Sequence, residues 1–163
     1  MRRFDYAAPT SVAEACSLLA SNPGARPLAG GTDLIIQMKE RGRVVPLVVS
    51  LRDVAQLQDL STNGSITIGS MVRCGEIAWS SEVKAGWAIL TDGADLVGSV
   101  QIRNKATVGG NICNAAPSAD VIPALIALDA TATIAGASGI RSVALADFFK
   151  GQVKPISPRA KCL

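Results

Sequence analysis

Apolar positions recur at helical spacing from Ser11 onward: Val12, Ala15, Cys16 and Leu19 share one face, and Ser11 with Glu14 three residues later forms a capping box. Asn22-Pro23-Gly24 ends that helix. Arg26-Pro27-Leu28-Ala29 reads as a short extended segment. Gly30-Gly31-Thr32 turns it into a second helix, residues 33–39, with Leu34, Ile35 and Met38 facing inward. Residues 47–51, Leu-Val-Val-Ser-Leu, form a short buried strand.

The run to Leu60 is a linking helix or turn, and Asn63-Gly64 is a tight-turn pair ahead of an alternating strand over residues 65–69. An Ala-rich helical pattern covers residues 76–96, with Ile77, Trp79, Val83, Trp87, Leu90 and Leu96 inward, and Ser80-Ser81 and Gly86 break it into shorter helices. Residues 101–114 read as a glycine-rich loop region centred on Val108-Gly109-Gly110-Asn111. Pro117-Ser118-Ala119-Asp120 opens a helix through Leu128. Residues 130–135 and 140–145 make a hairpin around Gly136-Ala137-Ser138-Gly139, followed by a turn of helix at 146–149. This pattern predicts two α/β lobes joined near residues 52–62 and sharing a cleft.

Composition agrees with a packed core. The chain has 163 residues, 48% hydrophobic and 18% charged, and a domain of that length buries roughly 70% of its unfolded surface. Only 4% of residues are aromatic, so a nucleic-acid surface of stacked rings is not expected. The formal charge is +3, but residues 152–163 carry Lys154, Arg159 and Lys161 with no acid, so the remainder is neutral and the pI of about 8.8 belongs to the tail.

The absence of histidine removes Ser-His-Asp and Cys-His catalysis and the commonest zinc ligand. Cys16, Cys74, Cys113 and Cys162 are far apart, with no C-x-x-C, so neither a zinc site nor an iron–sulfur cluster is supported within this chain. The N-terminus meets Asp5 before any apolar run, unlike a signal peptide. The longest apolar stretch, residues 121–128, holds Pro123 and falls short of the ~18 residues of a membrane span. A soluble, cytoplasmic protein is expected.

Two glycine segments carry the candidate chemistry. Leu28-Ala29-Gly30-Gly31-Thr32-Asp33 meets the needs of a phosphate cradle, in which glycines let backbone N–H groups converge. It is neither G-x-G-x-x-G nor a Walker loop, and a plain strand-to-helix turn asks for the same small residues. Thr107-Val108-Gly109-Gly110-Asn111 repeats the arrangement. Two such segments, each with an acid nearby (Asp33 and Asp120), point to a dinucleotide held across a cleft.

Phe4-Asp5-Tyr6, Pro9-Thr10-Ser11, Leu28-Ala29-Gly30-Gly31-Thr32-Asp33-Leu34, Ile68-Gly69-Ser70 and above all Gln101-Ile102-Arg103-Asn104-Lys105-Ala106-Thr107-Val108-Gly109-Gly110-Asn111-Ile112 resemble the FAD-binding medium subunit of molybdenum hydroxylases, the family of carbon monoxide and xanthine dehydrogenases. The resemblance covers roughly residues 3–150. It implies an α+β, two-lobed FAD-binding domain of the vanillyl-alcohol-oxidase (PCMH) type: a small parallel α/β lobe at about 1–55 and a larger lobe of mixed or antiparallel sheet with helices at about 56–151. It further implies FAD as cofactor, with Leu28, Ala29, Gly30, Gly31, Thr32, Asp33 and Leu34 around the pyrophosphate. Ala106, Thr107, Gly109, Gly110, Asn111 and Cys113 then lie at the flavin and diphosphate end, and Asp120 at ribose or the adenine side. The family passes electrons from iron–sulfur clusters of a small subunit, fed by a molybdopterin large subunit, through FAD to NAD+ or another acceptor. The flavin carries the redox chemistry, so no catalytic side chain is required.

Departures from the family pattern bear on this reading. The family chain continues for about another hundred residues by the same resemblance, into a C-terminal domain, whereas residues 152–163 are Pro- and Lys/Arg-rich and read as an atypical tail of a truncated product. Cys113 either touches flavin or is a small buried residue. Trp79 and Trp87 either shield a flavin ring or belong to the core. Arg103 either pairs with a phosphate or partner subunit or braces a loop. Beside the electron-transfer subunit stand two other readings: a stand-alone FAD oxidoreductase of the same superfamily, and a non-catalytic binding remnant.

Overall fold

The computed structural model describes residues 1–149, so the 152–163 tail lies outside the described residues. Strands β1 (Asp5–Ala7), β2 (Arg26–Leu28) and β3 (Leu47–Ser50) form a parallel sheet in the order β1-β3-β2. The central strand is an unbroken apolar run because both of its faces are covered. Val49 packs with Ala15, Leu19, Ala25 and Leu51 beneath helix α1 (Val12–Ser21), while its neighbour Val48 points the other way, to Met38 and Val45 beneath α2 (Leu34–Lys39). At the start of α1 the Ser11 hydroxyl accepts from the Glu14 N–H at 3.2 Å. The Glu14 carboxylate reaches one residue beyond the expected box, to the Thr10 N–H at 3.1 Å.

After a 3-10 turn at Ala55–Leu57, β4 (Leu60–Ser61) and β5 (Thr67–Ile68) pair antiparallel around Asn63 and Gly64, whose φ is +72°. The strand expected over 65–69 is confined to its middle. Helices α3 (Cys74–Trp79) and α4 (Ser81–Asp95) meet at Ser80, whose hydroxyl accepts from the Val83 N–H at 3.2 Å, and α4 is kinked at Trp87, next to Gly86. Ile77, Val83 and Leu90 enter the core as expected. Trp79 and Leu96 do not: they are 54% and 70% exposed, because one closes the last turn of a six-residue helix and the other caps the end of α4.

Residues 101–114 are not the expected loop. They hold helices α5 (Val100–Arg103) and α6 (Val108–Asn114), capped by Ser99, which accepts from the Ile102 N–H at 3.4 Å, and by Thr107, which accepts from the Gly110 N–H at 3.1 Å. Helix α7 (Val121–Ala127), the hairpin of β6 (Thr131–Gly136) and β7 (Gly139–Ala144), and α8 (Leu145–Phe148) complete the described chain. Helices α3, α4, α6 and α7 and the second hairpin share one core that includes Cys74, Ile77, Leu90, Val108, Val121 and Leu145.

Candidate functional site

The segment after β2 is held at both ends and open in between. Leu28 carbonyl accepts from the Leu51 N–H at 3.0 Å, and α2 begins with bonds from Ile35 N–H to Gly31 carbonyl at 3.2 Å and Gln37 N–H to Asp33 carbonyl at 2.8 Å. Between them, the amides of Gly30, Gly31, Thr32, Asp33 and Leu34 donate to no acceptor among the described residues. Gly31 has φ +76°, the conformation that turns successive N–H groups toward one concavity. Asp33 is exposed and caps nothing, and Leu34 packs into the cluster under α2.

The second glycine segment is bonded differently. Residues 106–109 run antiparallel to residues 70–74: Cys74 N–H donates to Ala106 carbonyl, Val108 N–H to Val72 carbonyl and Gly109 N–H to Ser70 carbonyl, each at 2.9 Å. Gly110 N–H goes to the Thr107 hydroxyl and Asn111 N–H to the Thr107 carbonyl at 2.9 Å, so the first turn of α6 has no spare donor. Sequence reasoning treats the two segments as equivalent, but only the first offers amides. Gly109 is small because its Cβ would stand 2.8 Å from the Ser70 carbonyl oxygen. The Ser70 hydroxyl and the Asn111 side-chain carbonyl are buried without partners.

The two segments nevertheless meet. A Cβ on Gly30 would overlap the Lys105 carbonyl oxygen, and one on Gly110 would contact the Ala29 side chain at 3.9 Å. Gln37 Nε2 on α2 donates to Asn114 Oδ1 on α6 at 3.5 Å. A cleft of about 280 Å³ opens at this junction and brings together the expected Ala29, Gly30 and Thr107. It also takes in Arg52, Gln58, Met71, Arg73, Glu76 and Lys105, which sequence reasoning missed. Of these, Lys105 lies within the segment 101–112 and Met71 directly follows Ile68-Gly69-Ser70, whereas the others carry no motif.

The other expected residues are spread around this junction. Ala106 is buried in the main core. Cys113 is exposed, which overturns its reading as a small buried residue: it lies on the solvent side of a seven-residue helix that ends at a left-handed Ala115, φ +47°. Asp120 is half-buried at the head of α7, where its side chain makes no cap bond. Arg103 braces a loop: its guanidinium donates to the carbonyls of Asp95 at 2.8 Å and Gly98 at 3.1 Å and pairs with the Asp95 carboxylate at 3.2 Å. Burial pushes the Cys74 thiol up to about 11, partly offset by a backbone hydrogen bond. Among the described residues no group of three or more Cys, Asp or Glu is placed to hold a metal, and no helix is long and apolar enough to cross a membrane.

The fold is that of chains of solved oxidoreductases. It matches a chain of reconstituted CO dehydrogenase from Oligotropha carboxidovorans with TM-score 0.92 and 33% identity, covering 99% of this chain and 57% of that one. A chain of quinoline 2-oxidoreductase from Pseudomonas putida 86 matches with TM-score 0.91 and 31% identity over the same shares. Glyceraldehyde dehydrogenase medium chain of Sulfolobus acidocaldarius is 36% identical over 149 residues, 91% of this chain and 53% of the relative. Xanthine dehydrogenase FAD-binding subunit of Escherichia coli O157:H7 is 36% identical over 156 residues, 93% and 53%. The chain thus spans about half the length of the curated relatives it matches. Fold and site define an α+β FAD-binding domain. Residues 2–160 match the FAD binding domain in molybdopterin dehydrogenase, and the chain belongs to that family, with FAD as its cofactor.

The residues present fit that cofactor. A run of amides without acceptors beside a left-handed glycine suits a diphosphate, and the cationic residues of the adjoining cleft suit its charge.

Proposed function

We propose that this chain is the FAD-binding part of an electron-transfer subunit of a molybdenum hydroxylase complex. It receives electrons from iron–sulfur clusters of a small subunit, which a molybdopterin large subunit feeds, and passes them to NAD+ or another acceptor. Its two lobes divide at about residue 55, the second running to about 151. The observation that carries this reading is the junction at Gly30 and Lys105, where the amide run of one glycine segment abuts the other.

Bound FAD supplies the redox chemistry. The chain's own residues bind and orient it. The amides of residues 29–34 hold the diphosphate, and Thr107, Gly110 and Asn111 flank it from α6. Asp120 accepts from ribose hydroxyls, and Cys113, in the last turn of α6, lies toward the flavin. No side chain of the site is asked to move a proton, in keeping with a chain that has no histidine.

The test is the visible spectrum and flavin fluorescence of the purified chain during titration with FAD. Stoichiometric uptake with quenched fluorescence is expected, followed by co-purification with an iron–sulfur subunit. A folded chain that takes up no FAD overturns the reading and leaves a binding remnant of the family.

A further inference from the structure

Three cations from separate stretches of chain converge beside the amide run. Arg52 follows β3, Arg73 precedes α3 and Lys105 precedes α6, yet all three line one cleft with Gly30. Arg73 is partly neutralised by Glu76, Nε to Oε1 at 3.7 Å. The Arg52 and Lys105 side chains pair with no acid among the described residues. Gathering like charges costs Coulomb energy that solvent screens only in part, and these exposed side chains add nothing to the core that offsets it. Gly30, whose amide has no acceptor among the described residues, lines the same cleft. At about 280 Å³ the cleft is smaller than the roughly 300–1,000 Å³ of sites that enclose whole ligands, so it receives an anionic part of one.

We propose that Arg52, Arg73 and Lys105 form a cationic rim that binds the diphosphate of FAD alongside the amides of residues 30–34. This rests on the FAD reading above and adds three side chains to it. The guanidinium groups of Arg52 and Arg73 and the Lys105 ammonium donate to phosphoryl oxygens, charge-assisted bonds that shorten and strengthen relative to neutral ones. Glu76 lowers the net charge of the rim through its 3.7 Å ion pair with Arg73.

The experiment compares the full chain with the Arg52→Gln/Arg73→Gln/Lys105→Gln variant, titrating FAD at several salt concentrations and inorganic pyrophosphate as competitor. The variant is expected to bind FAD about tenfold more weakly at low salt, with a flatter salt dependence and no competition by pyrophosphate. The three side chains are exposed, so the variant should melt with the parent; if it does not, the single Gln variants decide, each expected to weaken FAD about two- to threefold. Equal FAD affinity and salt slope in parent and variant overturn the rim and leave the FAD reading standing. A parent that binds pyrophosphate through these cations but no FAD keeps the rim and removes the FAD reading. A parent that binds neither removes both.

Discussion

Gly30 lies against the Lys105 carbonyl so closely that any β-carbon at position 30 would overlap the oxygen, with the Ala106 α-carbon only 3.1 Å away. The glycine is therefore one of the points at which the parallel-sheet part of the chain seats on the helical part. Gly30→Ala must push Lys105 and Ala106 away and open the cleft. We expect a loss of about 1–3 kcal/mol in stability, the usual cost of overpacking, and at least about a tenfold loss in FAD affinity. Urea denaturation and flavin titration measure the two. Gly42→Ala is the control: nothing lies within 4 Å and φ is +66°, so it costs about 1–2 kcal/mol through the backbone alone and leaves FAD binding intact.

Gly31 is small for a different reason. Its φ of +76° is strained for any L-residue, and a β-carbon there also crowds Leu28 Cδ1 at 3.1 Å and Ile35 Cγ1 at 3.3 Å. Gly31→Val should abolish FAD binding by turning the amides of residues 30–34 out of their shared concavity, because a β-branched residue resists the left-handed region. Gly31→Asn, which tolerates that region, should retain more affinity. Unchanged affinity in the Val variant would remove residue 31 from the cradle.

What the sequence made legible follows from how local each signal is. The cap at Ser11, the breaks at Asn22-Pro23-Gly24 and Ser80-Ser81, the buried strand at 47–51 and both hairpin turns depend on neighbours within a few positions, and they stand in the structure. Residues 101–114 were misread because glycine pairs usually mark loops, whereas here Thr107 caps a helix and Gly109 backs onto Ser70, a residue 39 positions away. The same holds for the site. Ala29, Gly30 and Thr107 carry a motif, but Arg52 and Arg73 reach the cleft only through the fold and have no flanking pattern to announce them.

Asp120 offers a clean separation of binding from folding. It occupies the cap position of α7, but its carboxylate makes no cap hydrogen bond, so removing it costs the helix no such bond. Asp120→Ala should leave the melting temperature near that of the parent while weakening FAD by about 1–3 kcal/mol, the loss of a hydrogen bond to a charged group. Ser11→Ala is the converse. It deletes the bond to the Glu14 N–H and should cost about 1 kcal/mol of stability with no change in FAD affinity. An Asp120 variant with an unaltered dissociation constant would assign that carboxylate to solvent.

Cys74 sets the response of stability to alkaline pH. Its side chain is fully buried, and its pKa is raised from the ordinary 9.0 to about 11, chiefly by that burial. In the unfolded chain the thiol loses its proton near pH 9, while the folded protein holds it until about pH 11, so between these values the folded state binds more protons than the unfolded one. Stability contributed by the neutral thiol is fully present below pH 9 and is lost as pH rises through 11. At about 1.4 kcal/mol per pKa unit, the loss amounts to ~2–3 kcal/mol. Cys16, raised in the same direction by burial, contributes with the same sign. Urea midpoints measured from pH 8 to 11 should therefore fall more steeply for the parent than for Cys74→Ala, with the residual slope of the variant reduced again by Cys16→Ala. A parallel fall in parent and Cys74→Ala would show that the thiol ionises in the folded protein as readily as in the unfolded chain.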